Sequence, residues 1–292
     1  ISFKIWKNVM ANKSRKKMEL KEIAKKIRKK TFLMCNNAGS GHIAPSFSSV
    51  DILVALYFKI LRLNADNLNH YARDIFILSK GHASAALYAI LEEKGILKKG
   101  ILETFCQKGS TLGAHPEAHL IPGIELSTGS LGHGLSFGTG IALADKIDKK
   151  NRKVIVLLSD GECQEGSTWE GAMFASHHKL DSLVAIIDYN KLQSLGKTDD
   201  ILSLKPFKDK WESFGWSVKE IDGHNIEQIV DTLNYLPFKK NMPNVVIAHT
   251  IKGKGIKFME NAPLWHYRIP STTEERKIIC KELGIDLSEF KK

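Results

Sequence analysis

Cysteine is scarce in this sequence, with four residues in 292, and Cys35, Cys106, Cys163 and Cys280 stand far apart without a CxxC pair. That excludes a disulfide framework and a cysteine zinc site, and leaves four reduced bystander thiols. No apolar run approaches the length of a membrane span, and the stretch from Ile1 to Lys30 scatters Lys and Arg where a secretory signal would place an apolar core. The expectation is a cytoplasmic, soluble protein with no membrane partner. Acidic residues are in deficit, 32 Asp and Glu against 43 Lys and Arg, for a formal net charge of +11. Such a balance favours anionic partners. The lysines are nevertheless dispersed, densest between Lys4 and Lys30 and at Lys291 and Lys292, with no recognition motif among them. They read as solvated surface, and no nucleic-acid partner is expected.

What is present is a regular alternation. Leu20, Ile23, Ala24, Ile27, Thr31 and Leu33 recur at helical spacing with lysines on the other face, which predicts an amphipathic helix. Five short apolar runs follow, at Ile75 to Leu78, Val154 to Leu158, Leu183 to Ile187, Trp216 to Ile221 and Val245 to Ala248. Most are apolar without a break, as strands buried on both faces require. Helix-like stretches lie between them at Ala83 to Leu91, Leu135 to Ala144, Ser167 to His177 and Ile226 to Leu233. Strands alternating with helices predict an α/β fold with a doubly wound, mostly parallel sheet flanked by helices. With no repeat or linker, the reading is one domain over 19–270, a basic N-terminal extension over 1–18 and a short tail over 271–292.

Open α/β sheets bind ligands beyond the carboxyl ends of their strands. Those ends are unusually polar here: SKGHAS, SDGECQEG, DYNKLQS, DGHN and HTIKGKG, in order. Asp160 and Asn190 close two successive strands, and a hard cation takes oxygen ligands of this kind while leaving positions for phosphate and water. Gly161 allows close backbone approach to a phosphate, and the amides opening the next helix can donate to it. Either residue alone is ordinary turn chemistry; the pair at adjacent strand ends is not.

DG followed about thirty residues later by Asn is the thiamine-diphosphate fingerprint, and its surroundings are similar to the transketolase family. AGSGH (Ala38 to His42), SKGHA (Ser79 to Ala83), GAHPE (Gly113 to Glu117), TGSLGHGLS (Thr128 to Ser136), SDGECQEG, DYNKLQ and HTIKGKG with Trp265-His266 all stand in that family's order. The resemblance implies the diphosphate-binding (PP-type) module of the thiamin diphosphate-binding fold and a cofactor, thiamine diphosphate, held through Mg2+ or Ca2+. It implies that Asp160, Asn190 and the backbone carbonyl of Leu192 hold the metal. His82, Gly129, Leu131, Gly161, Glu162 and His266, with Asp160 and Asn190, would contact the cofactor. His42, His82, His115 and His266 would line the sugar channel as the catalytic histidines, a role that imidazole suits near neutral pH. Glu165 would lie at a subunit interface. Lys252 and Lys254 are read as phosphate-attracting or merely solvated, and His133, His177, His178 and His224 as structural.

The resemblance covers Leu20 to His266 and stops short of the family's second domain, which supplies the glutamate that activates the aminopyrimidine and the residues that grip the sugar phosphate. The implied protein is therefore the N-terminal subunit of a split transketolase, a transferase of two-carbon ketol units between sugars or sugar phosphates, active only with a pyrimidine-binding C-terminal partner in an A2B2 heterotetramer. Departures are Ile43-Ala44 after SGH, where Pro-Gly is common, and Tyr267, where glycine is common. Within the same cofactor class, a deoxyxylulose-phosphate synthase or a ketoacid dehydrogenase component is the rival, against which GAHPE and Trp265-His266 argue. A nicotinamide oxidoreductase would need a GxGxxG turn directly after the first strand, and none is there.

Overall fold

The apolar runs pair into one five-stranded sheet of order β1-β2-β3-β5-β4, parallel throughout. The strands are β1 (Ile75–Leu78), β2 (Val154–Ser159), β3 (Leu183–Tyr189), β4 (Ser217–Asp222) and β5 (Asn244–His249), each within two residues of its predicted bounds. The computed structural model describes residues 3–289. Its helices are α1 (Phe3–Ala38), α2 (Ile43–Ala55), α3 (Ser84–Glu93), α4 (Gly134–Ile147), α5 (Gly166–His177), α6 (Thr198–Ile201), α7 (Phe207–Ser213), α8 (Ile226–Asn234) and α9 (Thr273–Leu283).

The strand period of two sorts the core into two layers. Phe76, Leu78, Ile155, Leu157, Val184, Ile186 and Val246 face one layer with α1, α2, α3 and α8, whereas Ile77, Val156, Leu158, Ala185, Ile187 and Ile247 face the other with α4, α5 and α7. Helices on both faces of a parallel sheet satisfy the doubly wound expectation. The edge strand β4 differs: Ser217 and Ile221 are buried, whereas Lys219 and Glu220 between them are exposed.

Several helical features go beyond the sequence reading, among them α6, α7 and three that shape the core. The first helix runs unbroken from Phe3, taking in most of the extension 1–18; residues 1–2, and Lys291 and Lys292 at the other end, lie outside the described residues. The second is α2, which sequence periodicity did not reveal. All of its residues are buried, and one π-helical turn continues it through Leu56–Ile60. A helix enclosed on every side needs no polar face and shows no amphipathic period. The segment Ile43–Ile60 is apolar and long enough to cross a membrane by composition, yet 89% of it is buried inside this fold, as a core helix is. The 271–292 tail contains α9, capped by Thr272 and Glu275 and packed into the first layer through Ile279, Cys280 and Leu283.

Candidate active site

Because every strand is parallel, all five carboxyl ends emerge on one edge, and the polar turns after β1, β2, β3 and β5 meet in one cavity there, whereas the DGHN turn after β4 stays outside it. The turn after β1 delivers His82, that after β2 delivers Asp160 and Gly161, that after β3 delivers Asn190 and Leu192, and that after β5 delivers Lys252. The N-cap of α2 adds His42. These residues line one cavity of about 290 Å3 together with Pro45, His115, Gly129, Leu131, Gln164, Glu165, Gln193, Ser194 and His266.

The loops between β1 and β2 are pinned into place by side chains. Tyr88 Oη, on α3, lies 3.1 Å from the carbonyls of Gly113 and His115, and Ser84 Oγ donates to the Ala114 carbonyl at 2.7 Å, which orders the GAHPE segment. Thr128 Oγ1 donates to the Leu78 carbonyl at 2.8 Å and fixes the glycine-rich segment against β1. At Gly132, where φ is +83°, a Cβ would come within 2.6 Å of Glu165 Cβ, so this close approach requires glycine.

Asp160 is buried. Its Oδ1 accepts from the Gly161 amide at 2.9 Å, and its Oδ2 from the Lys191 amide at 2.6 Å and Thr198 Oγ1 at 3.1 Å. Burial, reinforced by the Asp188 charge, pushes its carboxyl up to about 6 against these hydrogen bonds. Asn190 Oδ1 accepts from the Leu192 amide at 3.1 Å, and the Leu192 carbonyl accepts from Lys252 Nζ at 3.1 Å. A carbonyl oxygen has two lone pairs, so that bond leaves Leu192 able to ligate. Carboxylate, amide and carbonyl oxygens on one wall suit Mg2+ or Ca2+. A desolvated carboxylate gains strongly from a cation at its side. Among the described residues no cluster of three or more His, Cys, Asp or Glu forms a metal cage, so phosphate and water would have to complete the coordination. A Cβ at Gly161 would make only an ordinary 3.4 Å contact with Gln193; chain packing does not demand glycine there, and a side chain would take cavity space instead. The residues present fit a diphosphate bridged by a cation.

The four expected histidines are together. The His42 ring lies 5.4 Å from His82, 6.1 Å from His115 and 5.5 Å from His266, centroid to centroid, and Tyr267 packs edge-on against it at 4.7 Å. Burial, then the charges around it, lower His42 to about 4; burial and then Lys252 lower His266 to about 3. Burial also lowers His115 and, with Lys80, His82. At neutral pH the cluster is uncharged, so its rings can donate or accept hydrogen bonds with sugar hydroxyls.

Glu162 is the expected contact residue that stands apart. Its carboxylate is fully buried behind the cavity wall, accepting from Ser79 Oγ, from the Gly132 amide at 3.0 Å and from the Ser159 amide at 3.3 Å. It ties the glycine-rich segment to the ends of β1 and β2. Lys252 and Lys254 separate: Lys252 is buried, 2.7 Å from His266 Nδ1, with burial and Lys80 lowering it to about 8, whereas Lys254 lies outside the cavity, 3.6 Å from Glu260. Glu165 is exposed at the rim. His224 is bound into the fold, its Nδ1 2.8 Å from Asp51 and its Nε2 accepting from the Ile251 amide at 2.8 Å. Sequence reasoning missed Gln164, Gln193 and Ser194 on the wall, and a buried polar network behind it around Lys80 and Asp188.

Residues 19–291 match the family described as transketolase, thiamine diphosphate binding domain. An apulose-4-phosphate transketolase subunit from Phocaeicola vulgatus is 41% identical over 269 residues, covering 92% of this chain and 95% of that protein. A 6-deoxy-6-sulfo-D-fructose transketolase subunit from a Clostridium species is 39% identical and covers 92% of this chain and 98% of its own length. Human transketolase is 34% identical over 94% of this chain but only 43% of its own length. The transketolase structure from Campylobacter jejuni superposes with a TM-score of 0.85 at 32% identity, over 91% of this chain and 43% of that one.

Proposed function

The chain belongs to the transketolase thiamine diphosphate-binding domain family, and on that footing we propose that it is the diphosphate-binding subunit of a transketolase made from two kinds of chain. The assembly moves a two-carbon ketol unit from a ketose or its phosphate to an aldose or its phosphate. The observation that carries this reading is the meeting, in one cavity, of an oxygen donor set at Asp160, Asn190 and Leu192 with four neutral imidazoles.

Thiamine diphosphate, when bound, supplies the carbon nucleophile and the electron sink that carbon–carbon bond cleavage requires. The protein's share is to bind, orient and handle protons. Asp160, Asn190 and the Leu192 carbonyl would hold Mg2+ or Ca2+ for the diphosphate; Gly161 would leave room for it, and His82, His266 and Lys252 would face it. Gly129 and Leu131 flank the rings. His42, His115 and His266 meet the substrate hydroxyls as uncharged groups, able to accept a hydroxyl proton as one carbon–carbon bond breaks and to return it as the next forms. The site-bearing part of the domain spans 19–270, after the extension 1–18, and α9 of the 271–292 segment packs onto it. Its partner closes the open side of the cavity and brings the aminopyrimidine-activating glutamate and the phosphate grip. Glu165, at the rim, lies where copies meet in an A2B2 assembly. Two relatives of matching length carry the name of transketolase subunits, which supports the two-chain reading.

The test is ketol transfer by the purified chain with thiamine diphosphate and Mg2+ saturating, alone and after addition of a pyrimidine-binding transketolase subunit. Turnover is expected only in the second case. Robust transfer by the chain alone, with host transketolase excluded by mass spectrometry, overturns the two-chain reading.

A further inference from the structure

Behind the cavity lies a carboxylate that takes no part in its lining. Asp188, on β3, has no solvent exposure; its Oδ2 accepts from Lys80 Nζ and from Ser48 Oγ at 2.6 Å, and its Oδ1 from Thr250 Oγ1. Lys80, equally buried, also donates to the Pro45 carbonyl at 2.9 Å. Ser48, Lys80, Asp188 and Thr250 all lie outside the cavity wall. Each nevertheless sits just beside a residue that forms it. His82 is two positions beyond Lys80, Asn190 two beyond Asp188 and Lys252 two beyond Thr250, while Pro45 lines the cavity itself, three positions after His42.

One carboxylate therefore ties together the segments that deliver the metal side of the site, the imidazole side and the buried lysine. Stability is a poor account of such a group, since burying a carboxylate and an ammonium costs more than an apolar pair of similar volume in many proteins. What an apolar pair lacks is direction. Three donors from three elements converging on two oxygens fix the register of β1, β3, β5 and α2 at the level of their hydrogen bonds, and bound groups demand placement within about 0.5 Å.

We propose that Asp188, with Lys80, is a positioning residue that holds His82, Asn190, Lys252 and the start of α2 in mutual register for diphosphate and metal binding. This rests on the reading of the cavity as the cofactor site. No bond is made or broken by the pair, and neither residue lines the cavity.

The experiment measures, on the full chain, the calorimetric affinity for thiamine diphosphate with Mg2+ and the melting temperature without either. Thr250→Val removes one donor at constant shape, and Lys80→Met/Asp188→Leu replaces the ion pair by an apolar one. Leu233→Ala, on the buried face of α8, serves as a destabilised control. Positioning predicts a dissociation constant raised about tenfold or more in both network variants at nearly parental melting temperature, and an unchanged dissociation constant in the control despite its lower melting temperature. Should the double variant not fold, Thr250→Val decides alone. Parental affinity in the network variants, or affinity lost only in step with melting temperature across all three, overturns the proposal and leaves the cofactor site standing. A parent chain that binds no thiamine diphosphate overturns both.

Discussion

Nζ of Lys252 lies 2.7 Å from Nδ1 of His266, fourteen residues further along the chain. An ammonium only donates, so His266 Nδ1 accepts and its ring proton sits on Nε2. The lysine is buried close to a second cation, Lys80, which lowers it further. Lys252→Met should therefore relieve a cost rather than create one. The expected outcome is a melting temperature equal to or several degrees above the parent's, with ketol transfer in the assembled enzyme reduced at least tenfold. A lower melting temperature at full activity would contradict the placement of Lys252 in the site.

Metal dependence follows from the oxygen donor set. Calorimetric titration of thiamine diphosphate should show tight binding with Mg2+ or Ca2+ and little with a chelator present, because carboxylate and diphosphate repel without a cation between them. Asp160→Ala should abolish the metal-dependent component. Asn190→Ala removes a neutral ligand and should weaken it more mildly.

His115 and His266 face a cavity rather than the core. Replacing either by Ala should lower kcat by about 10²-fold, the scale of a lost proton-transfer partner, while melting temperature stays within a few degrees of the parent's. Activity falling only in proportion to stability would make them packing residues.

The depressed His42 gives a signed pH effect. Its folded-state value of about 4 lies below the ordinary 6.5, so between those limits the unfolded chain binds more protons and stability is lost as pH falls. Between pH 7 and pH 5 the parent should lose roughly 3–6 °C more in melting temperature than His42→Gln, using the usual scaling for a chain of this size. The comparison cancels the titrating groups outside the histidine cluster that His42 itself influences. Parallel curves would mean that His42 is as solvated folded as unfolded.

The strands and the site edge were legible because parallel strands buried on both faces leave unbroken apolar runs, and because the polar turns after them carry recognisable spacing. What stayed hidden had no periodic signature. In α2 the polar residues Ser46, Ser48, Ser49 and Asp51 are all buried among apolar neighbours, so the helix shows neither a polar face nor a break. Glu162 reads like its neighbours in SDGECQEG, and only the folded chain shows it turned towards Ser79 and Gly132. Lys80 and Asp188 did leave a trace. A charge at or just past the end of a strand buried on both faces must find a partner, and two such charges of opposite sign, from the two strands that flank β2, are each other's natural partners.

The cavity takes His42 from the start of α2 and His266 from beyond the last strand, with a contribution from nearly every strand end between. No shorter stretch of chain contains the site, and a growing polypeptide cannot bind at it until the whole domain has closed. Ligand binding then reports completion of the fold. A ligand at 100 times its dissociation constant adds about 2.7 kcal/mol to the native state alone. The vitamin-derived cofactor would thus serve as a quality check on each newly made chain, and subunits made in cofactor-starved cells should be cleared by proteases faster than those made in replete ones.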